Sequence, residues 1–350
     1  MRIENISEKF RLAVVGIDHP HGQIYRELLK QMWETDVVAF YAHRETERQM
    51  LQEPFASRPV YTSISKMLAE EDFEGALVLL PNNEAPKVCI ELADAGKHVM
   101  AEKPVARNGR EMRAVVEAVN RNRVKFAGGY AWRFDPIAMD IRRFIQEGVL
   151  GKIYSVETKM ITSFVGGPQP PHRNIDHYLF KKDISGGGFF NWLAVHWIDL
   201  LLFFLDSEVV SVAAIVDNVA GKPIDVEDGG VAVMRFANGA LVSLHCGYYI
   251  PEGYENSFNI HGSQGWVRWE PFKPDLHVFS TAQEWTAAPE RRSSYSLKAL
   301  YGLDFLRDWM TAIREDRQTV NTAENALRVL EIVDAIYESS VKGRRIDIRI

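Results

Sequence analysis

The chain has 350 residues, 46% of them hydrophobic and 25% charged, and its formal net charge is −6. This length exceeds one comfortable hydrophobic core, so we expect two domains. The negative balance, with no block of Lys and Arg, leaves no electrostatic footprint for nucleic acid or for an anionic membrane. A charged N-terminal stretch and two isolated cysteines, Cys89 and Cys246, indicate an unexported protein of a reducing compartment, which we expect to be the cytoplasm.

The first third of the chain alternates between short apolar runs and helical patterns. The runs that predict strands are residues 12–16, 37–41, 60–61, 76–80, 97–103 and 124–127. Their apolar cores are mostly continuous and do not alternate regularly with polar residues, which is typical of a parallel sheet covered by helices on both faces. We therefore predict an α/β domain over residues 1–128, with the doubly wound parallel sheet of nucleotide-binding proteins.

The pattern changes after residue 128. Helical patterns then cover residues 136–147, 189–205, 303–314 and 323–339, and strand-like patterns cover 152–161 and most of 209–280. Asn238-Gly239 is a strong hairpin signal between two of these strands. We therefore predict an α+β domain over residues 129–350 with a largely antiparallel sheet. The apolar run 189–205 carries three polar residues, which favours a core helix over a membrane span.

The stretch 97–104 ends in Glu102-Lys103-Pro104. Because proline cannot donate to a sheet ladder, the stretch predicts a buried strand that delivers a charge at its carboxyl end. Ligands bind beyond the carboxyl ends of strands in an open parallel sheet, and an ammonium there can stabilise an oxygen that gains negative charge. On its own, Lys103 is also compatible with an ordinary surface lysine at a strand exit.

Four sequence markers follow one another along nearly the whole chain. They are residues 101–104 (AEKP), residues 129–136 (GYAWRFDP), residues 148–153 (GVLGKI), and the triple glycine 186–188 with His196 and Asp199 after it. In this order they resemble the Gfo/Idh/MocA oxidoreductases. The resemblance implies a two-domain dehydrogenase that binds NAD or NADP and acts on a sugar, a polyol or a related small molecule. It also implies a homo-oligomer that assembles through the second-domain sheet. We expect no metal, because no third ligand stands at a suitable spacing from the His19-Pro20-His21 triplet.

The resemblance also implies roles for individual residues. Lys103 would be the cation and proton partner of the reacting hydroxyl, and His196 would be the base, because a neutral imidazole can accept a proton near neutral pH. Trp192, His196 and Asp199 follow at i, i+4 and i+7, so they share one helix face. From the helix pattern alone, a hydrogen-bonded core histidine is the alternative for His196. The further positions that the resemblance assigns are Asn82, Glu102 and Pro104 for the cofactor and Arg133 and Asp199 for the substrate.

The glycine-rich turn departs from the dinucleotide fingerprint Gly-x-Gly-x-x-Gly. Gly16 matches the first position, but Asp18 and His21 occupy the second and third, and Gly22 comes one residue late. An aspartate facing a diphosphate is electrostatically unfavourable. Either Asp18 turns away and His19 or His21 lies near the phosphates, or the cofactor site is weakened.

The end of the second predicted strand lacks the acid that would hold an unphosphorylated ribose. Residues 42–44 are Ala-His-Arg instead. Arg44 would suit the ribose phosphate of NADP, and its alternative is a solvated residue at a helix start.

Trp192 stands where the family usually has an aspartate that binds substrate or orients the base. An indole donates one hydrogen bond and cannot replace a carboxylate. Asp176 and His177, in the loop before the triple glycine, are our candidates for that role. Trp192 itself either stacks on the apolar face of a sugar ring or packs in the core.

Two other functions are compatible with the same fold. One is cleavage of a glycoside through transient oxidation by a bound dinucleotide. The other is a non-catalytic sensor descended from a dehydrogenase, because a fold does not fix a function.

Overall fold

The computed structural model describes residues 9–17, 19–166, 174–296 and 302–349. These residues form two compact units. The first unit comprises the described residues within 1–106, 110–130 and 300–327, and the second comprises those within 107–109, 131–299 and 328–350.

The secondary structure follows the predicted order. The strands are β1 (Phe10–Val15), β2 (Thr35–Tyr41), β3 (Val60–Tyr61), β4 (Gly75–Val78), β5 (His98–Ala101), β6 (Phe126–Gly128), β7 (Ile153–Ser163), β8 (Val209–Asp217), β9 (Gly229–Phe236), β10 (Leu241–Ile250), β11 (Tyr254–Gly262), β12 (Gly265–Trp269), β13 (Asp275–Ser280), β14 (Glu290–Ser294) and β15 (Ile346–Asp347). The α-helices are α1 (Gly22–Lys30), α2 (Ile64–Glu70), α3 (Ala85–Asp94), α4 (Gly109–Asn122), α5 (Pro136–Gln146), α6 (Lys182–Ser185), α7 (Val195–Leu205), α8 (Gly302–Arg314) and α9 (Ala323–Lys342). Short 3₁₀ helices include Glu45–Met50, Ala131–Phe134 and Tyr178–Phe180.

The first unit is built on a six-stranded sheet in the order β3-β2-β1-β4-β5-β6. All neighbouring strands run parallel. Strands β1, β4 and β5 are almost wholly buried, as expected for a sheet covered on both faces. The predicted doubly wound sheet is therefore confirmed. Its strand order reverses between β1 and β4, which is where such sheets bind ligands.

Residues 302–327 belong to the first unit, although they follow most of the second unit in the sequence. Trp309 of α8 packs edge-on against Phe10, with the ring centroids 5.4 Å apart. It also fills the space beside Gly75, where a Cβ would come within 2.7 Å of the indole. This arrangement differs from the division at residue 128, because no local pattern shows which sheet a distant helix will cover.

The second unit is built on a nine-stranded sheet in the order β14-β13-β12-β11-β7-β10-β9-β8-β15. Strands β7 and β10 are parallel, and the other neighbours are antiparallel. Asn238 and Gly239 lie in the β9–β10 turn, where Gly239 has a φ of +92° that favours glycine. The predicted, largely antiparallel sheet is confirmed.

The stretch Lys182–Leu205 is apolar and long enough to cross a membrane, but 83% of its most apolar window is buried inside the protein. Trp197 stacks on Phe258 of the sheet, with the ring centroids 5.5 Å apart, and its Nε1 donates to the Lys159 carbonyl oxygen. The stretch is therefore the central packing element of the second unit, as the polar residues within it predicted.

Candidate active site

The turn between β1 and α1 brings two backbone segments into close approach. Gly16 has a φ of +102°, and a Cβ there would collide with the carbonyl oxygen of Leu79, which directly follows β4. A Cβ on Gly22, the first residue of α1, would come within 2.7 Å of the Ile17 carbonyl oxygen. The two glycines therefore permit a tight turn from strand to helix without the full fingerprint spacing. Asp18 lies outside the described residues.

His19 and His21 lie in the same turn. Their rings meet edge-on with centroids 5.5 Å apart, and the His21 backbone N–H donates to Nδ1 of His19 over 3.1 Å. This bond requires an unprotonated Nδ1, so whenever the His19 ring is neutral its proton is on Nε2. The expectation that one of these residues contacts the cofactor phosphates stays a prediction.

The Glu-Lys-Pro segment after β5 carries two buried charges. The residue Lys103 is only 1% exposed and Glu102 only 6%. The Glu102 carboxylate accepts a hydrogen bond of 2.5 Å from the Tyr25 hydroxyl and lies 3.2 Å from Nδ1 of His21. Gly129, after β6, lies so close that a Cβ there would come within 2.8 Å of the Lys103 backbone nitrogen. Lys103 is therefore a buried lysine, and the surface alternative is wrong.

The pKa values of the two buried charges are both lowered, for different reasons. Burial alone would raise the pKa of Glu102, but the charge and hydrogen bond of His21 and the charges of Lys103 and His19 outweigh it and hold the pKa at about 2. Burial lowers the pKa of Lys103 to about 8, against the opposing charge of Glu102. The lysine can therefore exchange its proton close to neutral pH, as an acid–base group requires.

Tyr25 is a residue that the sequence analysis missed. It lies on α1, and its partner Glu102 is 77 positions further along the chain. Burial and the Glu102 carboxylate raise the pKa of Tyr25 well above its usual value. The hydroxyl therefore stays protonated and donates a hydrogen bond to Glu102. Nothing in the local sequence signals this contact, because it depends on the two segments meeting at the sheet edge.

The remaining cofactor candidates differ in exposure. Asn82, after β4, is buried, at 4% exposed. The Arg44 side chain is 76% exposed, and its Nε donates over 3.2 Å to Oε1 of Glu47. Glu47 itself is buried, and it places a carboxylate after β2 that the sequence analysis did not identify.

These residues fit a nicotinamide dinucleotide. The α1 helix begins directly after the glycine turn, and helix N-termini favour phosphate groups. Gly16, His19, His21, Asn82 and the Glu102-Lys103-Pro104 segment would hold the cofactor. In the described ranges, no cluster of three or more His, Cys, Asp and Glu side chains could bind a metal ion.

Two substrate candidates of the second unit, Trp192 and Asp199, lie on the same helical segment as His196. A π turn, Phe190–Ala194, runs directly into α7, and we call residues 190–205 the His196 helix. Trp192 is buried and His196 is partly exposed. The sequence predicted an uninterrupted α-helix here and gave no signal of the π turn, a feature that is frequent at functional sites.

Arg133 and Asp199 form a buried ion pair. Nε of Arg133 lies 2.9 and 3.1 Å from the two Asp199 oxygens, and an NH2 contact of 2.6 Å completes the pair. Burial raises the pKa of Asp199, and the Arg133 charge opposes the increase. The carboxylate of Asp199 is thus engaged within the second unit, and direct binding of substrate by either residue stays a prediction.

Asp176 and His177 precede a short 3₁₀ helix. Asp176 is exposed, and His177 caps that helix because its Nδ1 accepts a hydrogen bond from the Leu179 backbone over 3.3 Å. The His177 ring also packs against Tyr178. Neither observation assigns the missing carboxylate role to Asp176, which stays a prediction.

A doubly wound sheet, a glycine turn before α1 and a buried lysine beyond β5 define a nicotinamide-dinucleotide oxidoreductase. Comparison with known families is more specific. The chain matches the model of the oxidoreductase family with an NAD-binding Rossmann fold over residues 10–130, and the model of the GFO/IDH/MocA C-terminal domain over residues 138–268. The chain therefore belongs to the Gfo/Idh/MocA family, as its sequence markers predicted.

Individual relatives agree with this assignment. Levoglucosan dehydrogenase of Pseudarthrobacter phenanthrenivorans is 26% identical, with 81% of this chain and 82% of the relative covered. Inositol 2-dehydrogenase of Rhizobium meliloti is 25% identical, with 82% and 84% covered. A solved levoglucosan dehydrogenase in complex with NADH and levoglucosan has the same fold, with a TM-score of 0.86 at 21% identity over 98% of this chain and 100% of that one.

Proposed function

We propose that this protein is an NAD(P)-dependent dehydrogenase that oxidises a secondary hydroxyl of a sugar, a polyol or a related cyclic molecule, or reduces the corresponding carbonyl. The observation that carries the proposal is the buried Lys103, whose pKa of about 8 suits proton exchange at the ligand edge of a nucleotide-binding sheet. The names of the relatives, which act on levoglucosan and inositol, support the substrate class.

In the proposed reaction, each candidate residue has a separate role. The bound nicotinamide supplies the hydride acceptor or donor. Lys103 donates a hydrogen bond to the reacting oxygen and stabilises its negative charge while the hydroxyl proton leaves. His196 accepts that proton on its imidazole. Trp192, Asp176 and His177 shape the substrate site, and the Arg133–Asp199 pair holds the helix that carries His196.

The experiment tests a series of cyclic polyols with NAD and with NADP, and measures turnover by the absorbance of the reduced nicotinamide. We expect the oxidised nicotinamide cofactor to be reduced in the presence of levoglucosan, myo-inositol or a close analogue, and not in the presence of a simple aliphatic alcohol. His196→Ala is expected to lower kcat by about 10²- to 10⁴-fold, the usual contribution of a general base, with cofactor affinity unchanged. Release of an aglycone without net reduction would instead identify the glycoside-cleaving route. Ligand binding without any turnover would identify a sensor.

The choice between NAD and NADP depends on two opposite charges after β2. Arg44 favours a ribose phosphate, whereas the buried Glu47 carboxylate, to which it is bonded, disfavours one. Binding titrations of wild type and Arg44→Ala with both cofactors separate these effects. A clear preference for NAD that Arg44→Ala leaves unchanged would remove Arg44 from the cofactor site.

We further propose that the protein is cytoplasmic and assembles as a homo-oligomer through the second-unit sheet. The support is a set of apolar side chains that stay exposed on its strands, namely Ile215, Val231, Val233 and Leu241. Light scattering of Val231→Lys and Val233→Lys tests the assembly. Unchanged mass in both variants would contradict it.

A further inference from the structure

The triple glycine before the His196 helix is explained by its neighbours in the second unit. A Cβ on Gly187 would collide with the hydroxyl of Tyr337, and a Cβ on Gly188 would collide with the carbonyl oxygen of Glu227. Gly186 ends α6 with a φ of +83°. The glycines thus let the backbone approach Tyr337 and Glu227 more closely than any side chain would permit.

Glu227 binds the first backbone amides of this segment. Its Oε2 accepts a hydrogen bond of 2.9 Å from the Gly188 N–H, and its Oε1 accepts one of 3.0 Å from the Phe190 N–H. Its own carbonyl oxygen accepts the Phe189 N–H over 3.3 Å. A single residue from the segment before β9 therefore binds three consecutive amides that would otherwise lack partners at a helix start.

Tyr337 fixes the Glu227 carboxylate from the other side. Its hydroxyl, on α9, donates to Oε1 of Glu227 over 2.8 Å. Burial raises the pKa of Glu227, and the two amides and the tyrosine oppose the increase. Charge-assisted bonds of this kind are roughly twice as strong as neutral ones, so the helix start is tied to both the sheet and α9.

We infer that Glu227, held by Tyr337, is a positioning residue for His196. Because the imidazole lies six residues beyond the last amide that Glu227 binds, a shift of the helix start is passed along the π turn to His196. Misplacement of a reacting group by about 1 Å can cost roughly 100-fold in rate. The inference rests on the proposed role of His196 as the base.

The test compares Glu227→Gln with a matched control one residue away. Asp228 is also a buried carboxylate that accepts two backbone N–H groups, those of Val219 and Ala220, at 2.9 and 2.7 Å. Those amides belong to a loop and not to the His196 helix. Asp228→Asn therefore reproduces the loss of a buried backbone-binding carboxylate without touching the helix start. Tyr337→Phe is a milder second variant that removes the hydroxyl bonded to Oε1 of Glu227 and to the Asn191 backbone, and leaves the Glu227 carboxylate in place.

We expect Glu227→Gln to lower kcat by about 10- to 100-fold. Tyr337→Phe should lower it by roughly 3- to 10-fold, because the net contribution of neutral hydrogen bonds is small and the Glu227 carboxylate keeps its bonds to the backbone amides. KM for the cofactor should stay within about twofold in both, and Asp228→Asn should keep kcat within the same margin. Equal losses of kcat in Glu227→Gln and Asp228→Asn, or unchanged kcat in Glu227→Gln, would overturn the inference.

A readout that does not need turnover separates this inference from the proposed function. The imidazole NMR signals of His196, identified by their loss in His196→Ala, should shift in Glu227→Gln and Tyr337→Phe but not in Asp228→Asn. Unshifted signals in the first two variants would show that Glu227 and Tyr337 do not position His196, whatever the activity of the enzyme. Shifted signals together with full activity of His196→Ala would retain the positioning and remove the base.

Discussion

Lys103 in the first unit and Arg133 in the second are both buried cations, but their partners differ. The neighbour of Lys103 is Glu102, a carboxylate that is also in hydrogen-bond contact with Tyr25 and His21. Burial lowers the pKa of Lys103 to about 8. Arg133 has both oxygens of Asp199. A shared counter-ion leaves an ammonium able to exchange its proton, whereas a bidentate pair fixes a guanidinium in place. Burial of a charge therefore does not by itself distinguish a reactive residue from a structural one.

The largest expected effect is that of removing Lys103, the cation of the proposed mechanism. Lys103→Ala should lower kcat/KM by roughly 10³- to 10⁴-fold, because both the charge at the reacting oxygen and the proton partner are lost. Steady-state kinetics measure this loss, and a dinucleotide titration by fluorescence shows whether the cofactor still binds. A variant that keeps more than a tenth of the wild-type kcat/KM would assign Lys103 to cofactor binding alone.

Removal of Arg133 should instead lower the stability of the second unit. Arg133→Met leaves Asp199 buried without its partner and should lower the free energy of unfolding of the second unit by roughly 3–5 kcal/mol. The double variant Arg133→Met/Asp199→Leu should recover most of this loss, because no uncompensated charge remains. Urea denaturation followed by tryptophan fluorescence measures both. A double variant as unstable as the single one would show that Arg133 stabilises through contacts other than Asp199.

The smallest expected effect is a shift in pH dependence when Glu102, the counter-ion of Lys103, is changed. In the proposed mechanism the protonated Lys103 is the active form, so kcat/KM should fall as pH rises through about 8. Glu102 opposes the lowering of that pKa, so Glu102→Gln should lower it further and move the alkaline limb to lower pH. Lys103→Arg, which stays charged, should lose the limb from its residual activity. A limb that stays in place in Glu102→Gln would mean that another group titrates there.

The sequence predicted what local patterns can encode. Continuous apolar strands identified the parallel sheet, Asn238-Gly239 identified a hairpin turn, and the proline after Lys103 identified the end of β5. The family markers then brought Lys103 and His196 into one functional account. Each of these inferences depends on residues that are near one another in the chain.

The unpredicted features depend on contacts between distant segments. Tyr25 meets Glu102 across 77 positions, and Glu227 meets Gly188 across 39. The mutual pairing of Arg133 and Asp199, which the sequence assigned separately to substrate, spans 66 positions. Spacing and periodicity carry no information about such pairs. The π turn is similarly invisible, because its residues also satisfy an α-helical pattern.

The place of Trp309 has a consequence for how the protein is made. Strand β1 and its neighbours in the sheet are synthesised early. Helix α8, which covers Phe10 and Gly75, leaves the ribosome only after about three hundred residues. The part of the nascent sheet around Phe10 and Gly75 therefore stays without its covering helix while the whole of the intervening sheet is translated, a state in which chaperone binding and aggregation compete. C-terminal truncation should for the same reason damage the N-terminal fold first.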